Sequence, residues 1–79
     1  MGEVQGTFHV IVHRAEEGGF WSEVVELPGC MSQGETEDEV LANTRAAILG
    51  VIKSYLDDGE PLPLEPAATV RTVQVPVPA

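Results

Sequence analysis

Apolar and polar residues alternate at the start of the chain in the way that β-strands require. Residues 7–14 (TFHVIVHR) and residues 20–27 (FWSEVVEL) are rich in β-branched and aromatic side chains with a period of two. The five polar or small residues between them include Gly18 and Gly19, which permit a tight reversal. The pattern predicts an antiparallel hairpin.

The predicted second strand carries large apolar groups on both faces. Phe20 and Val24 fall on one side, and Trp21 and Val25 fall on the other. The pattern therefore leaves the buried face open, and it indicates either a central strand or a sheet whose second face meets another subunit.

A corner and a third strand are predicted next. Pro28 lacks the N–H that a strand ladder needs and Gly29 permits a turn, so we expect these two residues to end the second strand. Residues 31–33 leave room for one short strand, and Gly34 is assigned to the turn that follows.

From residue 37 the apolar spacing changes to three and four residues, which predicts an amphipathic helix of about 20 residues. Thr36 is the predicted N-cap, and Glu39 completes a capping box. Gly50 is expected to mark the closest approach of the helix to the sheet, and Gly59 to end the helix. The predicted apolar face comprises Val40, Thr44, Ala47, Ile48, Val51, Ile52 and Tyr55, with Leu41 and Leu56 beside it.

The C-terminal part predicts one more strand. Residues 60–67 (EPLPLEPA) form a proline-rich connection, and residues 69–75 (TVRTVQV) alternate again. A right-handed crossover then gives an α+β fold, β-β-β-α-β, with a four-stranded sheet of order 3-2-1-4 and the helix on one face. The uncovered face would expose apolar side chains, so we expect a homo-oligomer, and a dimer before any larger assembly.

Composition restricts the function. The 79 residues predict a single domain with a core at about residues 7–75. No apolar run is long enough for a membrane span and no signal peptide is evident, so a cytoplasmic location is expected. The net charge is −9 with only four Lys and Arg, so direct binding of nucleic acid is not expected. Acidity serves either general solubility or steering toward a basic protein partner.

Catalytic, metal and cofactor sites are not predicted. A nuclease that works with two metal ions needs several carboxylates that converge on them, and the first predicted strand, residues 7–14, contains none. His9 and His13 share a strand face at a separation of about 13 Å, which is too far for one metal ion. Cys30 is expected to be a small buried residue, with a nucleophilic role as the weaker alternative.

Several motifs resemble the HicB-like antitoxin family. They are the run GGFWSEVVELPGCMSQGET and the downstream DDGEPLPLEP, and the resemblance extends over roughly residues 7–66. It implies a partial RNase H-like fold and an antitoxin of a type II toxin-antitoxin system, which neutralises a small basic mRNA-cleaving toxin (HicA-like) by masking its active site. The motif residues are Gly18, Gly19, Pro28, Gly29, Cys30, Gly34, Thr36, Glu39 and Gly59.

A partner-binding surface can be nominated from residue type. Trp21 is the best single anchor, because tryptophan is enriched among interface hot spots, although core packing would also explain it. The acidic candidates for contact with a basic partner are Glu16, Glu17, Glu23, Glu26, Glu37 and Asp38.

Two functional alternatives stay open. The first is the antitoxin. The second is a stand-alone homo-oligomeric domain of the same fold that binds a protein or a ligand without a toxin. Many HicB-like antitoxins carry a C-terminal DNA-binding module, whereas the predicted last strand here is followed directly by the end of the sequence, so we expect no such module.

Overall fold

The computed structural model, which describes residues 6–62 and 69–78, contains a three-stranded antiparallel sheet and one helix. The strands are β1 (Val10–Arg14), β2 (Phe20–Val24) and β3 (Leu27–Gly34). The helix α1 (Glu37–Asp57) follows β3 directly. β2 lies in the middle of the sheet, between β1 and β3.

The predicted four-stranded sheet of order 3-2-1-4 is wrong. Residues 69–78 contain no strand, and they are exposed along their whole length. Their alternating sequence has the propensity for a strand, but a strand exists only where its backbone N–H and C=O groups meet a partner edge. Part of the predicted proline-rich connection, residues 63–67, lies outside the described residues.

The corner between β2 and β3 also differs from the prediction. The chain reverses at Val25 and Glu26, so Pro28 and Gly29 lie inside β3 and do not end β2. A register shift between Glu23 and Val24 marks a bulge that accommodates this tight connection. Proline is tolerated here because β3 is an edge strand of the described sheet, and Gly29 has a positive φ of 89°.

The ends of α1 confirm the predicted caps. The Thr36 side chain accepts a hydrogen bond from the Glu39 N–H at 3.1 Å, and the Glu39 carboxylate accepts one from the Glu35 N–H at 3.2 Å. In a capping box the glutamate side chain accepts the N–H of the N-cap residue, whereas here Glu39 accepts the N–H of the residue before the N-cap. At the other end Gly59 has φ 70°, and bonds from the N–H groups of Gly59 and Glu60 to the carbonyls of Leu56 and Tyr55 complete a Schellman motif.

The core lies between α1 and the face of the sheet that carries Ser22 and Val24. Its buried apolar side chains are Val24, Leu27, Cys30, Val40 and Ile48. Cys30 is thus a buried residue, as predicted, and burial raises the pKa of its thiol. A polar contact crosses the core as well, because the Ser22 and Thr44 hydroxyl oxygens lie 2.6 Å apart.

Gly34, and not Gly50, marks the close approach of helix and sheet. A Cβ on Gly34 would lie 2.6 Å from the Val40 nitrogen, whereas a Cβ on Gly50 would have no atom within 4 Å. The prediction for Gly50 was wrong because that residue lies on the exposed side of α1. Glycine at the end of β3 allows the first turn of the helix to pack directly against the strand.

Candidate partner-binding surface

One face of the sheet is not covered by α1. Successive side chains of a strand point to opposite faces. Ser22 and Val24 point toward the helix, so Trp21 and Glu23 beside them point away. Directly paired residues share a face, so the partners of Trp21 and Glu23 on β1 and β3 point away as well. We call this surface the open face, and its residues are Ile11, His13, Trp21, Glu23, Met31 and Gln33.

Trp21 lies at the centre of the open face and is stacked against His13. The two residues are direct partners in the β1–β2 register, and their ring centroids lie 4.0 Å apart with an interplanar angle of 14°. Trp21 is half-buried and Met31 on the next strand is 57% exposed. The open face therefore presents an ordered aromatic pair beside an exposed apolar side chain.

Glu23 extends this cluster. Its carboxylate lies 2.5 Å from the Nε2 atom of His13, and both side chains remain partly exposed. His13 thus contacts Trp21 through its ring face and Glu23 through its ring edge. This arrangement fixes the orientation of the indole while leaving carboxylate oxygens in contact with water, which suits a surface that binds a partner through both apolar and charged groups.

The acidic candidates of the hairpin loop and of the helix start lie at the same end of the sheet. A Cβ on Gly19 would lie 2.9 Å from the Gly34 carbonyl oxygen, so the β1–β2 loop packs against the segment that leads into α1. We call this region the acidic end, and its exposed carboxylates are Glu16, Glu17, Glu37 and Asp38. Glu16 and Glu17 line a shallow cleft together with His13, Arg14 and Trp21, which joins the acidic end to the open face.

Glu26 has a different position from the one predicted. It lies in the β2–β3 turn and not on the second strand, and it is only 5% exposed. One carboxylate oxygen accepts the backbone N–H of His9 at 2.7 Å, and the other lies 2.6 Å from the His9 Nδ1 atom. Its role in partner binding stays a prediction, and the carboxylate is already engaged by the residue that precedes β1.

The environment of Glu26 favours its ionised form. Burial raises the pKa of the carboxyl group, but the hydrogen bonds from the His9 backbone, the His9 ring and the Glu26 backbone N–H outweigh burial, so the net pKa lies below the ordinary glutamate value. A charged, nearly buried carboxylate therefore joins the β2–β3 turn to the start of β1.

The described residues hold no group of three or more His, Cys, Asp and Glu side chains placed to bind a metal ion. His9 and His13 each pair with a different glutamate. The predicted absence of a catalytic centre stays a prediction.

Sequence reasoning missed both histidine–glutamate pairs, because they depend on strand register. One signal was available for the second pair. A five-residue loop joins the two strands, so Arg14 and Phe20, the residues on either side of the loop, form a pair. This register places His13 opposite Trp21 and diagonal to Glu23.

The fold and the open face define the class of protein: a small α+β domain with an antiparallel sheet that a single helix covers on one side. Residues 8–76 match the model of the HicB_like antitoxin of bacterial toxin-antitoxin systems. The chain belongs to this HicB-like antitoxin family, as its motifs indicated, and the family implies a toxin partner.

Similar proteins fall into two groups. The chain is 35% identical over 63 residues to UPF0150 protein Ta0767 of Thermoplasma acidophilum. This match covers 80% of this chain and 91% of that protein. It is 29% identical over 70 residues to Antitoxin HicB 1 of Photorhabdus laumondii and 33% identical over 57 residues to Antitoxin HicB of Escherichia coli K12. The matches cover 89% and 72% of this chain but only 45% and 41% of those two antitoxins, so the chain spans less than half of their length.

No helix in the described ranges combines the length and the apolar character that a membrane crossing requires.

Proposed function

We propose that this chain is an antitoxin that binds a small basic mRNA-cleaving toxin (HicA-like) and neutralises it by covering the toxin's active site. The match of residues 8–76 to the antitoxin family carries the proposal. Two properties of the chain support the mode of binding: the net charge of −9 and the position of the open face beside the acidic end.

The open face supplies the contact area in this proposal. Trp21 enters the interface as the central anchor, and Met31 beside it adds apolar surface that water leaves on binding. Glu23 and the carboxylates of the acidic end pair with Lys and Arg side chains of the toxin. These charged contacts act mainly on the association rate and on the choice of partner, while the apolar anchor slows dissociation.

The first experiment identifies the toxin and measures its activity. Small basic proteins that co-purify with the tagged chain at low salt are expressed separately, and cleavage of a synthetic mRNA is followed with and without the chain. We expect cleavage to stop at equimolar chain. An RNase that co-purifies but cleaves equally fast in the presence of the chain would contradict the proposal.

A pair of variants tests the role of Trp21. Trp21→Ala is expected to weaken toxin binding by about thirtyfold or more, since a hot-spot truncation costs at least about 2 kcal/mol. Leu56→Ala is the matched control, because Leu56 is an exposed apolar residue of α1 outside the open face. Circular dichroism checks that both variants are folded. Unchanged affinity of folded Trp21→Ala would place the toxin on another surface while leaving the antitoxin role intact.

A further inference from the structure

An open cleft of about 920 Å³ lies where the β1–β2 loop meets the end of β3 and the start of α1. We call it the loop cleft, and the lining residues that decide its chemistry are Gly19, Trp21, Met31, Glu35 and Glu39. It is distinct from the shallow cleft of Glu16 and Glu17, because the two clefts share only Ala15 and Trp21.

Trp21 forms an aromatic wall of the loop cleft, and Met31 lies beside it. His13 of β1 is stacked on the indole with ring centroids 4.0 Å apart, and His13 lines the shallow cleft but not the loop cleft. The loop cleft is lined instead by residues of β3, which lies on the other side of β2. The indole therefore separates the two clefts, and its second face meets a flat group that enters the loop cleft.

Two carboxylates supply the charge of the loop cleft. Glu35 and Glu39 line it, and no lysine, arginine or histidine is present among the described residues that form its wall. A Cβ on Gly19 would lie 3.8 Å from the Oε2 atom of Glu35, so this carboxylate lies against the loop that leads into Trp21. The Glu39 carboxylate is held nearby, because it accepts the Glu35 N–H at 3.2 Å. A cation that enters the cleft thus meets negative charge and no like charge.

The combination of an aromatic wall and carboxylates selects the kind of cation. A guanidinium group is planar, stacks on the face of an indole and directs parallel N–H groups at a carboxylate. The ammonium group of lysine is compact and more strongly hydrated, so it gains less from an aromatic wall. The loop cleft is therefore complementary to an arginine side chain.

We infer that the loop cleft holds an arginine side chain of the toxin, with the guanidinium group on the Trp21 indole and its N–H groups directed at Glu35 and Glu39. The inference rests on the proposed function, because the arginine belongs to the toxin. An ion pair inside a cleft acts mainly on the dissociation rate, whereas exposed charges at the rim of an interface act mainly on the association rate. The loop cleft and the acidic end thus have different kinetic roles.

Arginine recognition by the free chain is measured without a toxin. N-acetyl-arginine amide is titrated into the ¹⁵N-labelled chain at constant ionic strength, with the amides of N-acetyl-lysine and of the neutral N-acetyl-citrulline as controls. We expect saturable shifts of the Trp21 indole N–H and of the Gly19 and Glu39 amides, with arginine bound about two- to fivefold more tightly than lysine. Equal responses to arginine and lysine, or no shift at the cleft, would overturn the inference whether or not the chain is an antitoxin.

Two double variants test the cleft in the complex with the toxin. Glu35→Gln with Glu39→Gln removes both charges of the loop cleft, and the Glu39→Gln side chain still carries an oxygen that accepts the Glu35 N–H. Glu37→Gln with Asp38→Asn is the matched control, because it removes two charges from the same segment at residues that do not line the cleft. The first pair is expected to raise the dissociation rate of the toxin at least about tenfold, since hydrogen bonds to a charged group are lost.

The control pair should raise the dissociation rate much less. Inhibition of mRNA cleavage by the parent chain reports the proposed function separately. Equal effects of the two pairs on dissociation, with the parent chain still inhibiting the toxin, would contradict the arginine site and leave the antitoxin role intact.

Discussion

Two buried polar side chains, Glu26 and Ser22, join elements that lie far apart in the sequence. Glu26 bonds to His9 across 17 positions, and Ser22 meets Thr44 across 22. Each group is satisfied in the structure, and no buried side-chain nitrogen or oxygen among the described residues lacks a partner. Buried polar groups are costly when unpaired, so these contacts should dominate the effect of substitutions at their positions.

Glu26→Gln should lower the free energy of unfolding at pH 7 by about 1.5–3 kcal/mol, which is typical of hydrogen bonds to a charged group. The pKa of Glu26 is depressed in the folded state. Its contribution is therefore fully present above the unfolded glutamate pKa of about 4.3 and is lost as the pH falls through the lower folded value.

Urea unfolding at pH 7 and at several values below pH 5 measures this contribution. The parent chain should lose stability more steeply than Glu26→Gln as the pH falls through this acid range. Glu23→Gln is the control, since its carboxylate is paired with a histidine but partly exposed, and its effect should be small. Parallel pH profiles for the parent and Glu26→Gln would contradict the role assigned to Glu26.

Thr44→Val should destabilise the domain more than Ser22→Ala. The Thr44 hydroxyl donates to the Val40 carbonyl at 2.5 Å, so its single proton is used and Ser22 is the donor of the contact between the two hydroxyls. Removing Thr44 leaves the fully buried Ser22 hydroxyl without an acceptor, which costs about 1–3 kcal/mol. Removing Ser22 leaves Thr44 bonded to Val40.

A double-mutant cycle with denaturant unfolding checks this order. The double variant Ser22→Ala with Thr44→Val should be more stable than Thr44→Val alone, because no orphaned hydroxyl remains. Strict additivity of the two substitutions would show that the hydroxyl contact contributes nothing.

At the scale of elements, α1 is positioned by its first half. The N-cap at Thr36, the glycine at position 34 and the buried residues Val40 and Thr44 all lie before the middle of the helix, and the last buried residue, Ile48, lies directly after it. The second half is only partly buried, and Leu49 and Leu56 are exposed. Substitutions near the start of α1 should therefore matter more than those near its end.

Two glycine substitutions provide a matched test. Gly34→Ala should destabilise the domain by about 2–4 kcal/mol. The alanine Cβ would overlap the backbone of Val40 and push the helix away from the sheet. Gly50→Ala should stabilise it by about 0.5–1 kcal/mol, because the site is open and alanine favours the helix. Melting temperatures of the two variants should move in opposite directions, and a shift in the same direction would contradict the packing described here.

At the scale of the whole molecule, negative charge is concentrated at the acidic end, where the β1–β2 loop lies near the start of α1. The acidic end places the loop carboxylates Glu16 and Glu17 beside Trp21, at the end of the sheet where the segment leading into α1 packs against the loop, although the loop and the helix start are about 20 positions apart in the chain. Focused charge of this kind raises the rate of encounter with a partner of opposite sign.

The association rate with a basic toxin should fall several-fold when ionic strength rises from about 0.02 to 0.5 M. Glu16→Gln with Glu17→Gln should slow association more than Asp57→Asn with Glu60→Gln, which removes the same charge at the far end of α1. Stopped-flow measurements distinguish the two double variants. A rate independent of salt would rule out steering, and equal slowing would assign it to net charge and not to the acidic end.

Much of the local structure could be predicted from the sequence. The hairpin around Gly18 and Gly19, the capped start of α1 at Thr36 and its end at Gly59 follow from short-range geometry, in which a few adjacent residues fix the backbone. The family could be recognised for the same reason, since its motifs are concentrated at these turns and caps.

Long-range contacts could not be predicted in this way. The partnership of Glu26 with His9, the close approach at Gly34 and the unpaired state of residues 69–78 each depend on which distant segment lies nearby. Periodicity specifies which residues share a face of a strand or helix. Which other element packs against that face depends on tertiary packing and on the cost of leaving polar groups unpaired. The sequence by itself thus determined the turns, the caps and most of the helix. Only the tertiary structure decided that three strands form the sheet of residues 6–62 and 69–78 and that one face of this sheet stays open, because strand pairing requires a partner edge that local sequence does not contain.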